Sequence, residues 1–154
     1  VAALDIICGM NPFSDRQFQL AWLAGPATWL ALWPWLAPAY FNPAWPLQHP
    51  LPLLLAVLVY PPLEEILFRG WLQQSLMSRP KLHTHWLLSP ANLIASLLFA
   101  AAHLWRHNLL LVMAVFLPSL IFGYFYERHR GLCSPILLHG WYNLGFVYCF
   151  TAGN

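Results

Sequence analysis

The segment Leu58-Val-Tyr-Pro-Pro-Leu-Glu64-Glu65-Ile-Leu-Phe-Arg69-Gly70 places three ionisable groups within six residues of an otherwise apolar run. At membrane depth each such charge costs at least about 2.5–3.5 kcal/mol, so charges there are rare, paired and usually functional. The run itself demands an apolar exterior. Of the 154 residues, 60% are hydrophobic and 8% charged, against roughly a quarter charged in a soluble domain. The chain lacks the polar surface that water requires, and a lipid-facing exterior is the alternative.

Five apolar segments predict an all-α, polytopic transmembrane helix bundle of about five spans. They run near Phe18–Tyr40, Leu51–Met77, Trp86–Leu104, Leu109–Tyr126 and Leu132–Phe150. Together they form a single integral-membrane domain over residues 1–154. The stretch Asn42–Pro50 reads as a loop, Arg79–His85 as a basic loop, and Glu127–Gly131 as a tight turn. Residues 1–15 have neither a basic start nor a small-residue cleavage site, so no cleavable signal peptide is expected.

The positive-inside rule places Arg16, Arg79, Lys81, Arg128 and Arg130 in the cytoplasm and leaves Arg106 outside. That orientation puts the N-terminus in the cytoplasm. Several of Trp22, Trp29, Trp33, Trp35 and Trp45 are expected at the membrane interface. A net charge of +2 with scattered basic residues excludes a nucleic-acid surface. Cys8, Cys133 and Cys149 have no metal-ligand spacing and read as small buried hydrophobes.

Pro61-Pro62 interrupt the hydrogen-bond ladder one turn before the carboxylates. Backbone left unpaired in this way must be buried in protein or line a wet cavity. Glu65 and Arg69, four apart, share a helix face in the favourable order. Glu64 lies about 100° away. Arg69 can thus neutralise Glu65 and leave Glu64 facing a cavity as a general base.

Two other segments carry polar groups. Phe99-Ala-Ala-Ala-His103 sets His103 on the face of Phe99, with alanines that admit a close neighbour. His139-Gly-Trp-Tyr-Asn143 sets two donors one turn apart, both able to stabilise a developing oxyanion. Counting inward from the basic flanks, Glu64, His103 and Asn143 fall at about 18–24 Å, with His139 one turn shallower. This slab lies near mid-membrane, between the core helices. His49, His83, His85, His107 and His129 lie in loops or at segment ends and receive no chemical role.

Over Leu51–Phe150 these residues resemble the CAAX-protease and bacteriocin-processing family of intramembrane proteases. The pattern stands here as Glu64-Glu65-Ile-Leu-Phe-Arg69, Phe99-Ala-Ala-Ala-His103 and His139-Gly-Trp-Tyr-Asn143, in order, on three separate segments. The resemblance implies glutamate-dependent hydrolysis of a membrane-associated protein or peptide. Glu64 with His103 would activate water, His139 and Asn143 would hold the oxyanion, and Glu65 with Arg69 would orient the site. It implies no cofactor, although Glu plus two His could bind zinc if they converged, and an older label for the family is metalloprotease. Prenylated or bacteriocin-type peptides and C-terminal tails are the substrate classes it suggests, at a bacterial inner membrane. A proton or ion relay and a non-catalytic immunity or scaffold protein of the same fold are the competing readings.

Overall fold

The computed structural model describes residues 11–36, 41–79, 82, 88–105 and 109–150. Among them there are helices and no strands, and five principal helices correspond to the five apolar segments. They are α1 (Arg16–Leu36), α2 (Pro50–Met77), α3 (Pro90–Ala102, extended by a 3₁₀ turn His103–Trp105), α4 (Leu109–His129) and α5 (Cys133–Phe150). Two described segments, Pro50–Met77 and Leu111–His129, are long and apolar enough to cross a membrane. Pro90–Trp105 is apolar but shorter. The expected five spans therefore exceed what length and apolarity support by themselves.

Each start has a local cause. Asp15 precedes α1 and accepts a hydrogen bond from Gln17 N–H at 2.9 Å. Ser89 caps α3 by accepting from Asn92 N–H at 3.0 Å, with Pro90 at the first helical position. Such caps satisfy orphan N–H groups that would otherwise lack partners. Single turns at Pro12–Ser14 and Trp45–Gln48 occupy the connecting stretches.

Pro61-Pro62 do not end α2. The helix absorbs them by widening to π spacing over Leu55–Val59, and again over Ile66–Gln73 beside the charged residues. Bulges of this kind accommodate an interrupted ladder and recur at functional sites.

α4 and α5 pack with α1 around Phe18, Phe122, Phe125 and Leu138. Trp22 stacks on Trp141 at 4.8 Å, and Trp29 meets the same ring edge-on at 5.1 Å. These two tryptophans fill the α1–α5 seam, whereas Trp35 is exposed. α3 and α4 approach closely because position 123 is glycine: a Cβ there would stand 2.0 Å from Asn92 Oδ1. That oxygen accepts from Ser96 Oγ–H while the Asn92 amide donates to Leu120 O.

The tight turn expected at Glu127–Gly131 begins later, because α4 continues through His129 and the chain reverses at Arg130, where φ is 52°. The reason is that Glu127 and His129 are tied into the bundle. Glu127 Oε1 accepts from Gln73 Nε2–H at 2.7 Å and from Ser89 Oγ–H at 2.5 Å. His129 pairs through Nε2 with Asp15 at 2.9 Å and through Nδ1 with Ser134 Oγ at 2.5 Å. Arg128 also pairs with Asp15. Cys133 is disulfide-bonded, so the reading of the cysteines as small buried hydrophobes does not hold for it. Cys8, the basic loop around Lys81, His83 and His85, and Arg106 and His107 lie outside the described residues.

Candidate active site

The widened stretch of α2 turns Glu65 and Arg69 inward, where both are fully enclosed. Arg69 NH1 donates to Glu65 Oε1 at 2.8 Å, the expected four-residue pairing. Its NH2 donates to Ser119 O at 2.8 Å and to Ser119 Oγ at 2.6 Å, across to α4. The guanidinium also lies 4.9 Å from the Phe99 ring centroid and 5.7 Å from that of Phe122. A buried charge is tolerated only with such partners. Glu65 Oε2 and Arg69 Nε have no hydrogen-bond partner among the described residues.

Glu64 faces the other way, with one-third of its side chain exposed. Of the two adjacent carboxylates, it alone is open to a ligand or water. His139, from α5, joins them. Its Nδ1 lies 2.8 Å from Glu65 Oε1 and its Nε2 3.5 Å from Glu64 Oε2. A carboxylate only accepts, so Nδ1 carries the hydrogen that points at Glu65. In the neutral ring Nε2 is then the basic nitrogen, directed at Glu64. Phe122 stacks on the imidazole at 5.0 Å and Phe99 meets it edge-on at 5.7 Å, which fixes the ring plane.

His139, one turn shallower than Glu64 by residue count, brings its imidazole against both carboxylates. His103 reaches the cluster through Phe99. Its Nδ1 lies 2.9 Å from Phe99 O, and its ring is 4.7 Å from that of Phe99. Asn143 Nδ2 donates to Ala56 O at 2.9 Å, where α5 crosses the proline-interrupted turn.

Thus Glu65, Arg69, His139 and Glu64 form one continuous chain of polar contacts, with His103 and Asn143 at its margins. Ser119 is a member that sequence reasoning missed. A serine following a proline in an apolar helix carries no distinguishing pattern. Ser119 matters only because α4 sets it against Arg69. Among the described residues, no three His, Cys, Asp or Glu side chains gather where they could hold a metal ion. Glu64 and His139 supply two donor atoms, short of the three protein ligands of a catalytic zinc. The described residues do not fit such a group.

The family model described as Rce1-like, type II CAAX prenyl endopeptidase, matches residues 46–145. An Escherichia coli protein described as an uncharacterized 24.3 kDa protein is 44% identical over 87 residues. That match covers 56% of this chain and 38% of the relative, so the chain spans well under half of its length. No solved structure matches. The matched range contains Glu64, Glu65, Arg69, His103, His139 and Asn143. On that match the chain belongs to the Rce1-like family of type II CAAX prenyl endopeptidases, a family of membrane peptidases.

Proposed function

We propose that this chain is an intramembrane endopeptidase in which Glu64 activates water for attack on a peptide carbonyl. The observation that carries the reading is the division between two neighbouring carboxylates. Glu65 is enclosed and held by Arg69 and His139, while Glu64 is one-third exposed with His139 Nε2 3.5 Å away. A general base must reach its proton and keep a partner that shares the charge. An enclosed carboxylate cannot reach a water molecule, and an exposed one without a partner has little reason to sit in an apolar helix.

In this mechanism water binds beside Glu64 and gives up a proton as its oxygen attacks the carbonyl. The proton passes to the leaving amine through the Glu64–His139 pair or through His103. Asn143 and the imidazolium form of His139 supply hydrogen bonds to the oxyanion, donors that act more strongly in a site with few competing waters. Glu65 and Arg69 hold His139 in the tautomer that leaves Nε2 basic, as a carboxylate partner does for a catalytic imidazole. Ser119 holds Arg69.

The substrate is a membrane-associated protein or peptide. A prenylated C-terminal tail is the class to try first, because the matching family model is named for it. We place the chain in a bacterial inner membrane with the start of α1 in the cytoplasm. Contacts between Asp15 and Arg128 and between Gln73 and Glu127 bring Arg16, Arg79, Arg128 and Arg130 to one end of the bundle. Positive charge of that kind marks the cytoplasmic side.

Glu64→Gln tests the reading. The amide keeps size and polarity but cannot accept a proton, so cleavage of a quenched-fluorescence peptide with a prenylcysteine tail should fall at least about 10²-fold. Thermal stability should hold, since Glu64 is not enclosed. Cleavage by Glu64→Gln at the wild-type rate would remove Glu64 as the base.

A further inference from the structure

We infer that Pro61 and the carbonyl of Ala56 are a positioning device for Asn143: the proline withholds the N–H that would occupy this carbonyl, so the carbonyl holds the Asn143 amide in register. The inference rests on the peptidase reading above for its kinetic consequence, but not for the hydrogen bond itself.

The pattern of α2 leads directly to it. Within the widened turn, Tyr60 N–H donates to Leu55 O, five residues back. The next two N–H groups at that spacing would come from positions 61 and 62 and would serve Ala56 O and Val57 O. Both positions are proline, which has no N–H. Two adjacent carbonyls are therefore left without backbone donors, and in an apolar surrounding an orphaned carbonyl is costly.

α5 covers both. Asn143 Nδ2 donates to Ala56 O at 2.9 Å. Gly140, one turn earlier, lies over Val57 O, and a Cβ at position 140 would stand 2.8 Å from that oxygen. Glycine therefore allows α5 to approach the freed carbonyls, and His139 and Asn143 flank the point of approach.

The consequence for chemistry follows from the geometry of a primary amide. Its nitrogen carries two hydrogens, and its oxygen only accepts. Ala56 O also only accepts, so it selects the orientation in which the nitrogen faces α2. With one hydrogen held, the planar group is fixed and the second hydrogen has a defined direction. Donors aligned before the reaction cost no reorganisation during it. An N–H at position 61 would compete for Ala56 O and release this constraint. Pro61 thus acts through Asn143 and touches no reacting atom.

The test uses the full chain in detergent micelles with three alterations at position 61 or 143. In Pro61→Ala the missing N–H is restored. In the second, the α-hydroxy analogue of alanine occupies position 61, which removes the proline ring without adding an N–H. The third is Asn143→Ala. Hydrogen exchange of the ¹⁵N-labelled Asn143 side-chain amide, assigned by its loss in Asn143→Ala, reads the hydrogen bond without any substrate. We expect one of its two hydrogens to be protected in the wild type and in the α-hydroxy analogue, and unprotected in Pro61→Ala.

Cleavage of the prenylcysteine peptide reads the consequence. In Pro61→Ala, kcat should fall about 10- to 100-fold with KM little changed, as for a misplaced catalytic group. The double variant with Asn143→Ala should be no slower than Asn143→Ala alone, because both changes remove one function. Unchanged amide protection in Pro61→Ala, equal loss of protection in the α-hydroxy analogue, or multiplied kinetic losses would each overturn the inference. Should the wild type fail to cleave the peptide at all, the peptidase reading falls alone, and amide protection still decides whether Pro61 positions Asn143.

Discussion

Arg69 shows how much of the site depends on one side chain. It is fully enclosed, donates to Glu65 and Ser119, and lies against the Phe99 and Phe122 rings. Breaking such a pair from one side leaves an uncompensated charge and costs about 3–5 kcal/mol. Arg69→Leu should accordingly lower the melting temperature markedly and abolish cleavage. Adding Glu65→Gln to Arg69→Leu removes the stranded charge, so the double variant should recover much of the stability, measured by thermal unfolding in detergent. Activity should not return, because His139 then lacks the carboxylate that sets its tautomer. If Arg69→Leu melts like the wild type, the pair does not hold the site together.

Helix contacts, more than helix propensities, decide how the elements assemble. α2 carries the carboxylates, but its widened turns are what rotate Glu65 inward and bring Ala56 O against α5. The α3–α4 seam depends on Gly123, whose missing Cβ leaves room for Asn92. Gly123→Ala would place a methyl group on Asn92 Oδ1, and overpacking of this kind costs about 1–3 kcal/mol. Gln73, Ser89 and Glu127 join the same seam by hydrogen bonds. The expected result is a lower melting temperature with reduced cleavage, restored in part by Gly123→Ala combined with Asn92→Ala. The four-residue spacings that suggested shared faces held for Glu65 with Arg69. Pro61-Pro62 were legible as an interruption, but its form was not, since a kink and a π bulge satisfy the same local rule.

At the scale of the whole molecule, one end of the bundle is fastened by Asp15, Arg128, His129 and Ser134, from α4, α5 and the turn before α1. Arg128 beside Asp15 is the largest influence holding its carboxyl well below the usual carboxylate range, with His129 and the Gln17 N–H adding to it against the effect of burial. A depressed folded-state pKa means that stabilisation is present above the ordinary value of 3.8 and is lost as pH falls through the folded-state value. The difference in melting temperature between the wild type and Asp15→Asn should therefore be largest near neutral pH and shrink in strong acid. A difference that stays constant down to about pH 3 would show that Asp15 contributes through its shape alone.

The sequence by itself determined the helical class, the positions of five apolar segments, the pairing of Glu65 with Arg69 and the residue types from which the site is built. Those follow from local rules: apolar run length, four-residue spacing and the cost of charge in an apolar environment. Only the tertiary structure decided that His139 reaches both carboxylates, that Ser119 holds Arg69, and that Asn143 rests on Ala56 O. Each of these depends on how far one helix is rotated and shifted against another. That register is set by close approach at Gly123 and Gly140 and by the widened turns of α2, where the change of a single carbonyl partner redirects every side chain beyond it.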